Sequence, residues 1–267
     1  MDSPVSEASE SELSPKATRT RSAIIDAALS LFREHGYEAT TMRAIAAEAG
    51  VSLGNAYYYF ESKQHLIQAF YDRTQIQHAE ASRPVLERDV DLAARILGVI
   101  DVWLDIMEPF RAFAGTFFQN AADPNSPLSP FSSESTTARD LSIDLWRQVI
   151  EGSDAKVPKV LNPQLPELLW LYFMGVVLYW VHDPTPNAAR TRLLAARTTP
   201  LVVRAIGLAR LPVLRSTLHE LLGLIQDLKG IHTGRDPGAV RPESLQQAHQ
   251  PSLNKRPAGT QARRTQP

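Results

Sequence analysis

Ser52, Asn55, Tyr57, Tyr58 and Lys63 place hydroxyl, amide, phenol and ammonium donors along one short stretch, GVSLGNAYYYFESK. Such groups donate to phosphate oxygens, and an asparagine amide also matches the edge of an adenine. A helix turns about 100° per residue, so the consecutive rings of Tyr57, Tyr58, Tyr59 and Phe60 cannot all enter one core. Ala56, Tyr59 and Phe60 share one face at i, i+3 and i+4. Leu53, Gly54, Tyr57 and Tyr58 share the other, with Asn55 at the boundary. Two rings therefore point inward and two outward. Gly54 lets another backbone approach closely. Lys63 falls in the first turn of the next helix, where the dipole disfavours a cation, so an anion is expected beside it.

Other chemistries find little support. The chain has no cysteine, which excludes disulfides, thiolate metal sites and cysteine nucleophiles. It contains no GxSxG, GxGxxG, phosphate-binding loop or HExxH, and its histidines form no ligand cluster on one helix face. His182 stands before Pro184, where a helix end favours it. No enzyme activity, cofactor or metal is expected.

Net charge is −1, so the overall balance names no partner, and residues 16–64 hold six Lys/Arg against five Asp/Glu rather than a basic patch. The N-terminus lacks the apolar core of a signal peptide. The longest uncharged apolar run, Leu168 to Val181, is fourteen residues, short of the roughly 20 needed to span a bilayer. A soluble, cytoplasmic protein with no membrane partner is expected.

The elements that must position these groups are helices. Ile24, Ala28, Leu31 and Phe32 repeat at helical spacing before Gly36. Met42, Ile45, Ala46 and Ala49 do so between the cap Thr41 and Gly50. Ser52 and Ser62 cap a third and a fourth helix, and Ser82-Arg83-Pro84 reads as a break. The turn Gly50-Val51-Ser52 joins two short helices as in a helix-turn-helix. Further helices are expected at about 89–107, 109–121, 135–151, 164–182, 187–209 and 212–229, with Pro200 kinking or splitting its helix. The fold class is all-α: a three-helix helix-turn-helix head joined to a larger helical bundle. The expected organisation is a disordered acidic tail at 1–15, a head at 16–75, a regulatory and dimerisation domain at 76–230 and a disordered tail at 231–267.

Arg21 to Phe70 strongly resembles the DNA-binding domain of the tetracycline-repressor (TetR) family. Its matching positions include Ala28, Leu31, Phe32, Gly36, Tyr37, Thr40, Thr41, Ile45, Ala46, Gly50, Val51, Ser52, Gly54, Tyr57, Tyr59, Phe60 and Lys63. The resemblance implies that Thr41 caps the second helix and reaches a phosphate, while Arg43 stands where family members often reach a base. It implies that Ser52, Leu53, Gly54 and Asn55 open the recognition helix in the major groove, and that Tyr57, Tyr58 and Lys63 clamp the backbone. Leu53 departs from the polar or basic residue common there and offers only apolar contact, as with a thymine methyl. Ala56 replaces a common leucine, a difference of packing.

The resemblance further implies a helical body that dimerises and binds a small ligand. Aromatics crowd residues 89–183, and none occurs from 184 to 230. Aromatics at helical spacing are as a rule core. Read as a pocket, Trp103, Phe110, Phe113, Phe117, Trp146, Trp170, Phe173 and Tyr179 are the expected lining, with Glu108, Arg111, Asp144, Glu167 or His182 as polar anchors, and would favour an apolar or aromatic ligand. Leu211, Leu214, Leu218, Leu221 and Ile225 form a seam that suits either a second subunit or the same monomer. The expected interface is the helix at 164–182 plus one of the last two.

A two-fold dimer presents two recognition helices about one DNA turn, roughly 34 Å, apart and selects a palindromic operator. The reading is a homodimeric, ligand-responsive transcriptional regulator of double-stranded DNA, a repressor because a ligand-free state that fits DNA blocks promoters. The alternatives are an activator using the same head and a helical protein-interaction scaffold.

Overall fold

The computed structural model describes residues 14–111, 114–115 and 126–209. Four helices make or leave the head. α1 (Pro15–His35) begins on Ser14, whose side chain accepts from the Ala17 N–H, with Pro15 at its first position. Gly36, at φ +82°, ends it in a conformation that disfavours a side chain. α2 (Met42–Glu48) and α3 (Leu53–Tyr59) start on the caps Thr41 and Ser52, and Gly50 turns between them at φ +67°. α4 (Lys63–Arg88) starts on Ser62. α1 packs on α2 and α4, and α2 on α3, around Ile24, Ile25, Phe32, Ile45 and Ala56.

The body continues with α5 (Leu92–Met107), a 3₁₀ turn at Glu108–Phe110, α6 (Thr136–Glu151), α7 (Leu165–Val181), a second 3₁₀ turn at Pro186–Ala188 and α8 (Ala189–Leu208). α4 lies against α5 and α6, α6 against α7, and α8 against α5 and α7. The core between them is aromatic: Trp103 meets Phe173 and Trp180 edge-on at 5.2 and 5.0 Å, and Trp146 packs on Phe173 at 5.5 Å. Among the described residues there is no strand, and no helix is long and apolar enough to cross a membrane.

Two buried polar residues tie the body together. The Arg95 guanidinium donates to Leu86 O and Asp89 O at the end of α4 and to Gln148 O and Val149 O at the end of α6. It thereby binds carbonyls at the C-terminal ends of both helices and offsets both negative dipole ends. Asp183 accepts from the N–H and hydroxyl of Thr185 and of Thr191, fixing the entry to α8. Burial alone would raise its carboxyl pKa, but these four bonds more than offset that and hold it well below the usual carboxylate range.

Several boundaries differ from the sequence reading. Residues 14 and 15 cap and open α1 instead of ending a tail. No break occurs at Ser82-Arg83-Pro84: α4 runs through Pro84, whose ring lies on the exposed side where the carbonyl it leaves unpaired meets water. α4 also passes through residue 75, so a helix joins head to body. Pro200 sits inside an unsplit α8. The start of the helix expected at 109–121 is taken by the 3₁₀ turn. Residues 1–13 and 231–267, the helix expected at 212–229, and with it Leu211, Leu214, Leu218, Leu221 and Ile225, lie outside the described residues.

Candidate nucleic-acid interface and ligand cavity

Two side-chain caps set the recognition element. Ser52 Oγ accepts from Asn55 N at 3.1 Å and Thr41 Oγ1 from Ala44 N at 3.1 Å, so both hydroxyls stand at helix N-termini with exposed residues around them. Ala56 is fully buried and Phe60 nearly so, which fastens α3 to the head by its inner face. Tyr57 and Tyr58 are 47% and 79% exposed, and Tyr59 is half-buried with its ring edge-on to Tyr58. The aromatic run therefore divides two outward and two inward, as its spacing requires. Arg43, Gly54 and Asn55 are exposed, and Leu53 is half-buried. A Cβ on Gly54 would meet nothing within 4 Å, so nothing inside the protein calls for glycine there.

The structure gives Lys63 a partner that the sequence reading missed. Its Nζ donates to Tyr37 O at 2.6 Å and to Glu38 O at 3.4 Å, and stands 4.4 Å from the centre of the Tyr37 ring. Two carbonyls and a π face answer the charge, so the helix-start argument for a neighbouring anion falls. The lysine binds the turn between α1 and α2 to the start of α4. Further cations lie on α1: Arg21 sits over the Phe60 ring at 5.3 Å, next to the end of α3, and Lys16 and Arg19 before it are exposed. Their signal in the sequence was a run of bases just ahead of the first apolar stripe.

In the body, a cavity of about 130 Å³ lies between α4, α5, α6 and α7. Trp103, Trp170 and Phe173 line it, as expected. The other expected aromatics do not, or lie outside the described residues. Phe110 packs on Phe70 at 5.0 Å, away from the cavity. Trp146 is fully buried core, and Tyr179 points outward, its helical neighbour Trp180 taking the inner position. Phe113 and Phe117 are not among the described residues.

None of the expected polar anchors reaches the cavity either. Arg111 donates to Glu108 at 2.5 Å, to Asp183 O and to Thr185 O; Asp144 pairs with Arg147; His182 and Glu167 stand elsewhere on α7 and its end. The lining polar residues are instead Thr74, Gln75, Ser135, Arg139 and Ser142. Their signal was a polar residue at an apolar phase: Thr74 follows Phe70 by four on α4, and Ser142 lies between Ala138 and Trp146 on the buried stripe of α6.

Two family models match the sequence, "Bacterial regulatory proteins, tetR family" over residues 24–70 and "Tetracyclin repressor-like, C-terminal domain" over residues 95–224. The chain is 50% identical over 60 residues to the HTH-type transcriptional repressor KstR of Mycolicibacterium smegmatis, which is 22% of this chain and 29% of that protein. The match thus spans less than a third of that relative's length. In fold, the chain is similar to a TetR transcriptional regulator from Nitrosomonas europaea, with 23% identity, a TM-score of 0.53, and coverage of 68% of this chain and 97% of the other. It is similar too to the transcriptional regulator FadR from Bacillus subtilis in complex with stearoyl-CoA, at 16% identity and a TM-score of 0.51 over 67% and 96% of the chains. With the head matched by one of these models and most of the body by the other, the chain belongs to the TetR family of bacterial regulatory proteins.

Proposed function

We propose that this protein is a dimeric, sequence-specific transcriptional repressor that leaves a palindromic operator when a small ligand enters the body. The observation that carries DNA binding is the outer face of α3. Gly54, Asn55, Tyr57 and Tyr58 are exposed there, and the glycine has no internal purpose. Asn55 and Arg43 read base edges, Leu53 contributes apolar contact, and Thr41, Ser52, Tyr57 and Tyr58 bind phosphates, joined by Lys16 and Arg19. Lys63 acts from behind by holding the α1–α2 turn, with any phosphate contact made at its edge.

Regulation rests on α4, which serves both parts. Its first residue grips the head through Tyr37 O, while Phe70, Tyr71, Thr74 and Gln75 line the cavity. A ligand that fits the cavity only when α4 shifts favours a state in which the two recognition helices no longer match one DNA turn. The fold neighbour captured with stearoyl-CoA supports a ligand-binding role for a body of this kind.

Dimerisation is supported by two outward apolar stripes, Leu171, Leu178 and Tyr179 on α7 and Leu193, Leu201 and Leu208 on α8. Gly175 lies within the first, with nothing within 4 Å of a Cβ built on it, as close approach of a second helix would favour. Selection of binding sites from a random DNA pool at two salt concentrations tests the whole reading. An enriched palindrome with half-sites one turn apart is expected; no enrichment by the folded protein would refute it.

A further inference from the structure

We infer that the cavity takes a neutral, ring-sized, largely apolar molecule with one group that both donates and accepts a hydrogen bond, such as an alcohol or phenol. This rests on the reading of the cavity as the regulatory site. The walls are carbon: Phe70, Trp103, Met107, Trp170, Phe173 and Trp180. Its volume, about 130 Å³, leaves room for a molecule of about one six-membered ring, as a dry cavity of about 150 Å³ takes benzene.

The polar content of the walls is small, and part of it is unspent. Gln75 Oε1, Ser142 Oγ and Trp180 Nε1 are buried atoms of lining residues with no hydrogen-bond partner among the described residues, and Ser142 and Trp180 are each 1% exposed. An unpaired buried polar atom is costly, and three on residues that line one cavity point to an occupant that they meet by a small turn of their side chains. Gln75 Oε1 only accepts, Trp180 Nε1 only donates, and the Ser142 hydroxyl does both. The occupant must therefore offer a donor and an acceptor, which one hydroxyl supplies.

A charge is disfavoured by the same walls. No carboxylate lines the cavity among the described residues, so a cation finds no counter-ion there. The one lining cation among the described residues, Arg139, donates to Pro130 O and Ser132 O at 3.0 Å and to Thr136 Oγ1 at 3.0 Å, holding the loop before α6. An anion would have to draw it off these acceptors while losing its own hydration.

Three matched one-ring probes test this on the full chain: phenol, toluene and benzoate at pH 7, titrated by quenching of tryptophan fluorescence and by calorimetry. Phenol is expected to bind at least about tenfold more tightly than either of the others, since each added hydrogen bond contributes a few-fold to tenfold. Ser142→Ala, and separately Gln75→Met, should each shrink the phenol-to-toluene ratio several-fold while circular dichroism shows an unchanged fold. Benzoate binding as tightly as phenol, phenol binding no better than toluene, or no binding by any probe would overturn the assignment. Operator binding is measured in parallel. Phenol binding at the expected ratios with unchanged operator affinity would uphold the ligand chemistry and refute the regulatory reading of the cavity.

Discussion

Phe70 and Phe110 pack with ring centroids 5.0 Å apart and planes tilted by 57°. Phe70 also lines the cavity, and the guanidinium of Arg33 on α1 lies 5.6 Å from the centre of the Phe110 ring. One pair of rings thus joins the cavity wall to the first helix of the head. A double-mutant cycle with Phe70→Leu and Phe110→Leu, read by urea unfolding, should give a coupling of about 0.5–1.5 kcal/mol beyond the two single losses. Strictly additive losses would mean that the rings act independently and carry no link between cavity and head.

Lys63 is expected to matter first to the shape of the head. Lys63→Met removes the bonds to Tyr37 O and Glu38 O but keeps the aliphatic stem over the Tyr37 ring. It should lower stability by about 1–2 kcal/mol. The slope of operator affinity against salt separates the two roles. A slope unchanged from wild type marks a positioning residue, and a slope lower by about one marks a phosphate contact as well. Tyr57→Phe should weaken binding to all sequences alike, whereas Arg43→Ala or Asn55→Ala should alter which sequence is preferred.

Acid should destabilise the protein in two stages. His78 is fully buried with Nε2 2.8 Å from Val99 O, and burial lowers its pKa to about 4 against the pull of that carbonyl. The unfolded chain binds this proton near pH 6.5 and the folded chain only near 4, so stability falls as pH drops across that window. The full difference is about 3 kcal/mol. Asp183, held below the usual carboxylate range, contributes stability that is present above its unfolded pKa and lost at lower pH, as it protonates in the folded state. Urea midpoints measured from pH 7 to 3 should show both stages, and His78→Leu should flatten the first alone. A wild-type midpoint constant from pH 7 to 4.5 would contradict the buried, neutral histidine.

The head was legible because its signals are local. Thr41, Ser52 and Ser62 cap helices through bonds three residues away, and Gly36 and Gly50 mark the turns by their own backbone angles. The partner of Lys63 was not legible, since Tyr37 lies 26 residues earlier and offers a backbone carbonyl that any residue carries. The continuity of α4 depended on which side Pro84 faces, a matter of tertiary packing. In the body, counting aromatics found Trp103, Trp170 and Phe173 but chose Tyr179 over Trp180. Position 180 is buried and 179 exposed, and a helix as apolar as α7 does not advertise its inner face by pattern. The unpaired groups of Gln75 and Ser142 needed the fold, because their meaning lies in what they fail to touch.

Gly175 offers a direct test of the proposed interface. A glycine in mid-helix costs roughly 0.5–1 kcal/mol relative to alanine, and no neighbour among the described residues requires it. Gly175→Arg should leave the monomer folded, because the position is exposed, and should yield monomers in sedimentation equilibrium. Truncation before Leu211 examines the other candidate seam. Dimers that survive truncation but not Gly175→Arg would place the interface on α7 and α8, and the reverse outcome would move it beyond residue 210.

Gly54 separates folding from DNA binding most cleanly. Gly54→Ala adds a methyl group that meets nothing within 4 Å inside the protein, at a helical position where alanine is the better former. Stability should therefore hold or rise by up to about 1 kcal/mol. If DNA backbone or base edges approach α3 at this point, the same methyl group forces them apart, and operator affinity should fall at least about tenfold, a loss of roughly 1.4 kcal/mol. Thermal unfolding and operator titration on one preparation give both numbers. A variant as stable as wild type and as tight on the operator would show that α3 meets DNA with some other part of its surface, and would shift the base-reading role toward Arg43 at the exposed start of α2.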